Sequence, residues 1–192
     1  MVLGSGPLVP QESVLSLLER RRGLLEGVVV TGGEPLMQDD LGVFLGQVKE
    51  LGYLVKVDTN GMFPERLGAL LDAGLIDYVA MDIKAPPEKY SKLVGVNVPI
   101  DVVRRSVDII RACAPGYEFR TTVVPGLVTL SDVVGIGRWL EGSSRYYLQQ
   151  FRPMHPLLDA SLESAVPYPK AVLEEMVGAV RPLVGRCGLR GV

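Results

Sequence analysis

Cysteine is scarce in this chain of 192 residues, which contains only Cys113 and Cys187. The two are far apart in sequence, and their spacing does not form a pair of metal ligands. Cys113 falls in a helical pattern and Cys187 in a late apolar stretch. A free cysteine in such surroundings behaves as a small hydrophobic residue, so we expect both side chains to be buried.

An excess of charge of one sign and long apolar runs are also absent. The 20 basic and 22 acidic residues give a net charge of -2, which leaves no electrostatic footprint for nucleic acid. No apolar run approaches the roughly 18 residues that indicate a membrane span. Residues 1–10 lack the charged and apolar regions of a signal peptide. We therefore expect no nucleic-acid or membrane partner and a cytoplasmic location.

The chain does contain a regular alternation of short apolar runs and amphipathic helical patterns, in a composition that is 47% hydrophobic. Runs rich in Val, Tyr, Phe or Ile and bounded by turn residues predict strands. They cover residues 28–31, 53–57, 78–81, 118–124 and 146–151, with a short final strand that includes Leu189. Helical periodicity predicts helices from about Gln11, Leu41 and Pro64, around Val103, after Ser131 as N-cap, and over residues 169–184.

This repeated strand–helix order predicts an α/β fold whose strands pair in parallel through right-handed crossovers. The nearly unbroken apolar runs are typical of parallel strands buried on both faces. Their spacing suits a (β/α) barrel or a doubly wound sheet, within a single domain that spans residues 1–192. Because the chain opens with a helical pattern, a barrel built from it lacks its first strand.

The segment Thr31-Gly32-Gly33-Glu34-Pro35 joins the first predicted strand to the helical pattern that begins near Gln38. Its two glycines let the backbone approach a ligand closely and adopt unusual dihedral angles. Glu34 adds an acceptor for an ammonium or hydroxyl group. A strand-to-helix turn of this composition predicts a place that holds a small ligand.

Polar residues also gather at the C-terminal ends of the other strands. They are Asp58-Thr59-Asn60-Gly61, Asp82-Ile83-Lys84, Arg120-Thr121-Thr122, and Gln149-Gln150 followed by Arg152 and His155. In α/β folds the C-terminal edge of the sheet binds the ligand, so these residues predict a site at that edge. Asp58 and Thr59 offer oxygen atoms for a cation or for hydrogen bonds to a ribose.

Several of these residues have a structural alternative. The Asn60-Gly61 pair favours a hairpin turn, but the segment that follows has the pattern of a helix start. Asp82 and Lys84 point the same way on a strand and can form a local ion pair. Arg120 can equally pair with a carboxylate. The single histidine, His155, would by itself suggest a structural role, but its position just beyond the fifth strand favours the ligand edge.

Together these residues resemble the radical S-adenosylmethionine (SAM) superfamily, over nearly the whole chain. Residues 31–35 resemble its SAM amino-group motif. Residues 58–61, 82–84, 119–126 and 153–155 resemble the glycyl-radical-enzyme activases, and in particular the activating proteins of anaerobic ribonucleoside-triphosphate reductase. The fold that the resemblance implies is a partial (β/α) barrel of the radical SAM type.

The resemblance also implies a set of ligands. The SAM site would consist of Thr31, Gly32, Gly33, Glu34, Pro35, Asp58, Thr59, Asn60, Lys84, Arg120 and His155. Within it, Gly32, Gly33 and Glu34 would hold the methionine amino group, and Lys84 and Arg120 would contact SAM or the substrate loop. Asp58, Thr59 and Asp82 would match the activase site for a monovalent cation.

The activity implied is cleavage of SAM to a 5′-deoxyadenosyl radical, which abstracts hydrogen from a glycine of a partner ribonucleotide reductase subunit. An electron donor such as flavodoxin or ferredoxin would supply the electron. The SAM motifs do not distinguish this activity from that of a pyruvate formate-lyase activase or a 7-carboxy-7-deazaguanine synthase. A non-catalytic protein that binds SAM or a partner is a further alternative.

The chain departs from the superfamily pattern in one respect. The superfamily holds a [4Fe-4S] cluster with three thiolates of a C-x3-C-x2-C loop after the first strand. Neither Cys113 nor Cys187 can supply that motif. The missing loop and the missing first strand would both precede Met1, so we expect an N-terminally incomplete domain. An exposed edge strand near residues 28–31 and a tendency to associate would follow.

Overall fold

The computed structural model describes residues 9–153 and 160–192. The strands in these ranges are β1 (Gly27–Val30), β2 (Leu54–Thr59), β3 (Tyr78–Asp82), β4 (Tyr117–Val123), β5 (Arg145–Gln150) and β6 (Arg186–Arg190). The α-helices are α1 (Gln11–Arg20), α2 (Leu41–Glu50), α3 (Pro64–Asp72), α4 (Tyr90–Val94), α5 (Ile100–Cys113), α6 (Leu130–Trp139) and α7 (Lys170–Val180). Short 3₁₀ helices cover Pro35–Met37, Pro87–Lys89, Ala160–Ser164 and Arg181–Leu183.

The strands form one parallel sheet in which they follow in chain order from β1 to β6. Val28 of β1 lies opposite Val55 of β2, and Tyr146 of β5 lies opposite Cys187 of β6. Helices connect successive strands, as a parallel sheet requires. Within the described residues β1 and β6 are the edges and the sheet is not closed. The α/β fold predicted from the sequence is therefore confirmed, and the barrel is partial.

The predicted elements agree with the observed ones to within a few residues, with informative exceptions. Helix α4 was not predicted, since five residues are too few to show a helical period. The predicted N-cap of α6, Ser131, was wrong. The cap is Thr129, whose side chain accepts from the N–H of Asp132 while the Asp132 side chain accepts from the N–H of Thr129.

The chain divides into two compact units. The first unit comprises Met1–Ala80 and Val102–Tyr117, and the second comprises Met81–Asp101 and Glu118–Val192. The core of each consists of fully buried apolar side chains of its strands and helices. In the first unit these include Leu45, Val48, Val57, Leu67 and Ile110, and in the second Phe119, Val133, Ile136, Leu148 and Val180.

One face of β1 and β2 in the first unit is exposed, contrary to the expectation of burial on both faces. Val55 and Val57 are buried on the side of the helices, whereas Val29 and Leu54 on the other side are 54% and 57% exposed. Successive side chains of a strand point to opposite faces, so the apolar run alone could not show that one face lacks a cover.

No helix in the described parts of the chain is long and apolar enough to cross a membrane.

Candidate functional site

The loop after β1 is built around a buried carboxylate. Gly32 has a φ of +134°, a conformation that residues with side chains rarely adopt. Glu34 is only 6% exposed, and Pro35 after it begins a 3₁₀ helix. The Oε1 atom of Glu34 accepts a hydrogen bond from the backbone N–H of Leu36 at 3.2 Å. The side chain thus caps the first turn of the segment that follows.

Two further donors to Glu34 come from the last residue of β2 and the residue after it. The Thr59 hydroxyl donates to Oε1 at 2.8 Å, and the backbone N–H of Asn60 donates to Oε2 at 2.7 Å. A carboxylate offers about four acceptor positions, and the bonds found among the described residues fill three of them. Glu34 therefore fixes the loop after β1 to the end of β2 and keeps acceptor capacity on Oε2.

The sequence predicted that a helix rather than a hairpin follows β2, and α3 does follow it. The Thr59 hydroxyl oxygen accepts from the N–H of Gly61 at 3.0 Å, and Asn60 Oδ1 accepts from the N–H of Met62 at 2.9 Å. Gly61 has a φ of +78°, and its carbonyl accepts a bond from the Ser106 hydroxyl of α5 at 2.7 Å. The turn is therefore held from three sides, and Asn60 Nδ2 takes part in none of these bonds.

Asp58 and Thr59 lie on opposite faces of β2 because side chains alternate along a strand. The Thr59 hydroxyl is bonded to Glu34, whereas the Asp58 carboxylate lies on the face of Lys56. Lys56 was not selected from the sequence. Its spacing of two residues from Asp58 on a strand was the signal that could have identified the pair.

Asp82, Lys84 and Arg120 form one ion cluster in the second unit. Lys84 Nζ donates to Asp82 Oδ2 at 3.0 Å, and Arg120 Nε donates to Asp82 Oδ1 at 3.0 Å. The Arg120 side chain is only 11% exposed. The local ion pair considered from the sequence exists, and Arg120 does pair with a carboxylate.

A second charged pair in the same unit was missed from the sequence. Arg190 of β6 donates to both carboxylate oxygens of Glu118 of β4, at 2.6 and 2.7 Å. Its guanidinium group lies 4.2 Å from the centroid of the Tyr147 ring of β5. The pair joins β4 to β6 across β5 with bidentate geometry. Its partners are 72 residues apart, so no local pattern could have indicated it.

The polar residues after β5 hold neighbouring chain segments. Gln150 Nε2 donates to the Tyr168 carbonyl at 2.7 Å, and Arg152 donates to the Gly191 carbonyl at 3.0 Å. These bonds attach the segment before α7 and the residue after β6 to the end of β5. His155 lies outside the described residues, so its predicted role stays a prediction.

The cysteines are arranged differently from what the sequence led us to expect. Cys113, expected to be buried, is exposed because it is the last residue of α5. Cys187 is half-buried on β6, and burial raises the pKa of its thiol to about 11. A thiol with a raised pKa is mostly protonated at neutral pH and is a poor metal ligand. In the part of the chain that the structure describes, no three Cys, His, Asp or Glu side chains converge to hold a metal ion.

A cavity of about 500 Å³ borders the loop after β1 in the first unit. Thr31, Gly33 and Glu34 form part of its wall, together with residues at the N-terminal ends of α1 and α2. Its volume falls in the range of about 300–1,000 Å³ that is usual for small-molecule sites. The loop that the sequence singled out is therefore accessible to a ligand.

Comparison with known proteins points to one family. The model of the radical SAM superfamily matches residues 2–140. A Methanocaldococcus jannaschii protein that carries the name of a glycyl-radical enzyme activating enzyme is 32% identical over 155 residues. The match covers 71% of this chain and 65% of that relative. Against the first three curated relatives, the chain spans between 32% and 65% of their own length.

Solved structures show the same fold. A domain of a pyruvate-formate lyase-activating enzyme from Bacteroides vulgatus matches with a TM-score of 0.66 at 16% identity, over 87% of this chain and 100% of that one. SuiB from Streptococcus suis, solved bound to S-adenosylmethionine, matches with a TM-score of 0.76 at 12% identity. That match covers 99% of this chain and 45% of SuiB. At these identities the likeness concerns the fold, a partial α/β barrel.

Proposed function

The chain belongs to the radical SAM superfamily, and from that membership we propose that it binds SAM as part of a glycyl-radical-enzyme activating enzyme. The observation that carries the proposal is the glycine-rich loop after β1. Its buried Glu34 is fixed by three donors and borders a cavity of suitable size. A preorganised carboxylate of this kind is the feature that a positively charged amino group requires.

In this proposal Gly32, Gly33 and Glu34 hold the methionine amino group of SAM. The acceptor capacity left on Glu34 Oε2 supports this, because the ammonium can donate there without displacing Thr59 or Asn60. Thr31 and Pro35 frame the same loop. Asn60, Lys84, Arg120 and His155 contact the remainder of SAM or the substrate loop, in line with their motifs.

The monovalent cation predicted at Asp58, Thr59 and Asp82 stays a prediction. In the structure the carboxylates of Asp58 and Asp82 each already pair with a lysine, at 3.3 and 3.0 Å.

The [4Fe-4S] cluster that the family implies does not fit the residues described here. Such a cluster needs three converging thiolates, whereas Cys113 and Cys187 lie on α5 and β6. No step of a reaction is therefore assigned to these two thiols. What the described residues support is the binding and orientation of SAM.

The more specific part of the proposal concerns the partner protein, the electron donor and the location in the cell. We assign the whole protein to the installation of a glycyl radical on an anaerobic ribonucleotide reductase subunit, with flavodoxin or ferredoxin as electron donor and a cytoplasmic location. The motif resemblance and the name of the Methanocaldococcus jannaschii relative support the class of target. Co-purification with a glycyl-radical reductase would test this, and capture of a different radical enzyme would redirect it.

A second candidate is a protein that binds SAM or a partner without catalysis. The observation that favours it is the arrangement of the cysteines, since the described residues do not provide the ligands of the cluster.

Calorimetric titration of the 192-residue chain with SAM tests the common core of both candidates. We expect saturable binding, which Glu34→Gln should weaken by roughly tenfold or more, since a charge-assisted hydrogen bond contributes about 1.5–3 kcal/mol. Glu12→Gln, on the exposed side of α1, is the matched control and should bind like the original chain. Failure of the original chain to bind SAM at millimolar concentration would reject the first candidate and the SAM-binding form of the second.

A further inference from the structure

The loop after β1 is also held by an arginine of α3. Arg66 Nη1 donates to the backbone carbonyl of Leu36 at 2.8 Å, and Nη2 donates to the carboxylate of Asp39. The planar guanidinium group carries its donors in a fixed fork, so one side chain can hold a carbonyl and a carboxylate at the same time. These partners lie 30 and 27 positions from Arg66 in sequence, so no local pattern could have indicated the bonds.

Leu36 connects this arginine to Glu34. The N–H of Leu36 donates to Glu34 Oε1 at 3.2 Å, while the carbonyl of the same residue accepts from Arg66. Leu36 is fully buried, whereas the Arg66 side chain is 44% exposed. The backbone of one buried residue is thus fixed on both sides, by the Glu34 carboxylate and by a cation at the surface of α3.

Apolar packing between the loop and α3 is incomplete. An open cavity of about 210 Å³ lies beside them, and Leu36, Asp39, Arg66 and Leu70 form part of its wall. Side chains that face a gap forfeit part of their dispersion attraction. The position of the loop, and with it that of Glu34, therefore depends on the two bonds of Arg66.

We propose that Arg66 is a positioning residue of the proposed SAM site. It fixes the carbonyl of Leu36, and through the N–H of the same residue it keeps the Glu34 carboxylate in the orientation that receives the amino group of the ligand. In this role Arg66 acts through Glu34 and does not touch SAM. The identity of the ligand rests on the proposed function, whereas the contacts of Arg66 do not.

Amide hydrogen exchange tests the positioning without SAM. The variant Arg66→Met keeps an unbranched stem and loses both bonds. We expect the N–H of Leu36 to exchange about tenfold faster in this variant, because the loop then opens locally. The N–H of Val55, which donates to Asp77 of the same unit at 2.7 Å, reports the stability of the unit as a whole and should change less. An acceleration at Leu36 no larger than that at Val55 would overturn the proposal.

Two further variants keep this measurement decisive. Arg105→Met breaks an exposed ion pair with Glu65 of α3 at 2.7 Å and is the matched control. It should leave exchange at Leu36 unchanged, and an acceleration equal to that of Arg66→Met would count against a specific role of Arg66. If Arg66→Met does not fold, Asp39→Asn takes its place, because Asp39 is 90% exposed and its neutralisation weakens one of the two bonds. The same comparison of amides then decides.

Calorimetric titration with SAM connects the arginine to the ligand. Arg66→Met should weaken SAM binding about fivefold, as expected for the loss of a hydrogen bond that orients the binding group. In the Glu34→Gln background the same substitution should cost less than about twofold, because effects of residues that act through one another are not additive. An equal loss in both backgrounds would overturn the proposal. If the original chain bound no SAM, the proposed function would fail, and the exchange rate at Leu36 would still decide whether Arg66 positions Glu34.

Discussion

At the scale of single residues, Glu34 has a structural role that the structure shows and a binding role that we propose for it. The sequence predicted a ligand-binding carboxylate, and the structure adds three protein donors that hold it in a buried position. A buried carboxylate without such donors would be costly. Its orientation is therefore set before any ligand arrives, which reduces the entropy lost on binding.

The Thr59 hydroxyl is the donor whose removal tests this role. Thr59→Val deletes the bond to Glu34 and leaves the N–H of Gly61 without its acceptor, at a site that is 4% exposed. We expect a loss of about 2–3 kcal/mol in the free energy of unfolding, since two buried polar groups lose a partner. Urea denaturation measures it. Thr59→Ser keeps the hydroxyl and is the matched control. Equal stability of the valine and serine variants would show that the hydrogen bond from Thr59 to Glu34 does not stabilise the fold.

Which residue contacts could be foreseen depends on how far apart the partners are in sequence. The pair Lys56–Asp58 follows from strand alternation along β2, and the pair Asp82–Lys84 is equally local, two residues apart at the end of β3. Glu34–Thr59 and Glu118–Arg190 join residues 25 and 72 positions apart, and only the register of the sheet brings them together. The motif drew attention to the loop after β1, but the partners of Glu34 could not be derived from local spacing.

At the scale of elements, the start of α6 depends on a capping box that the sequence reading misplaced. Thr129 and Asp132 satisfy each other's backbone N–H groups, and Lys89 donates to Asp132 at 2.5 Å. Thr129→Ala should lower the free energy of unfolding by about 1 kcal/mol. Ser131→Ala should have a much smaller effect, because the hydrogen bond of its hydroxyl within the described residues is to the Thr129 hydroxyl and not to a backbone N–H. Chemical denaturation compares the free energies of unfolding of the two variants. A larger loss for Ser131→Ala than for Thr129→Ala would identify Ser131 as the N-cap.

The edge strand β1 is the element that we expect to promote association between copies of the chain. Its outer edge has no neighbour among the described residues, and Val29 on it is 54% exposed. Exposed apolar edges pair with other chains, and charged side chains prevent this. We expect Val29→Lys to reduce concentration-dependent association in sedimentation experiments. Val43→Lys, at a valine of α2 that is 66% exposed, is the control, and equal effects of both variants would attribute association to general hydrophobicity.

At the scale of the whole molecule, the order of elements was predictable and their grouping was not. Alternating strand and helix patterns were enough to predict a parallel sheet with right-handed crossovers, but they suited a barrel and a doubly wound sheet alike, and only the family resemblance favoured the chain order that the structure has. The boundary between the two compact units falls inside β3, between Ala80 and Met81. A boundary within a buried apolar strand leaves no trace in composition, so the single domain predicted for residues 1–192 stays a prediction.

The stability of the fold at alkaline pH depends on buried titratable groups of the second unit. Burial raises the pKa of Tyr90 from 10.0 to about 12 and that of the Cys187 thiol from 9.0 to about 11, and it also raises the pKa of Tyr146. Each folded-state group keeps its proton at a pH where the unfolded chain has lost it. The folded state therefore binds more protons, and the free energy of unfolding falls as pH rises. The stabilisation is complete below pH 9 and is lost progressively towards pH 12.

Tyr90→Phe isolates the share of this decline that begins near pH 10 and comes from Tyr90. Tyr90 is 3% exposed, and a pKa difference of two units corresponds to about 3 kcal/mol. Urea denaturation from pH 8 to 11 should show a shallower decline for Tyr90→Phe above pH 10, from a starting value lowered by the lost hydrogen bond to the Lys84 backbone. Cys187→Ala should instead flatten the decline from pH 9. If Tyr90→Phe declined as steeply as the original chain, the alkaline loss would have to come from Cys187 and Tyr146, and burial of Tyr90 would not govern it.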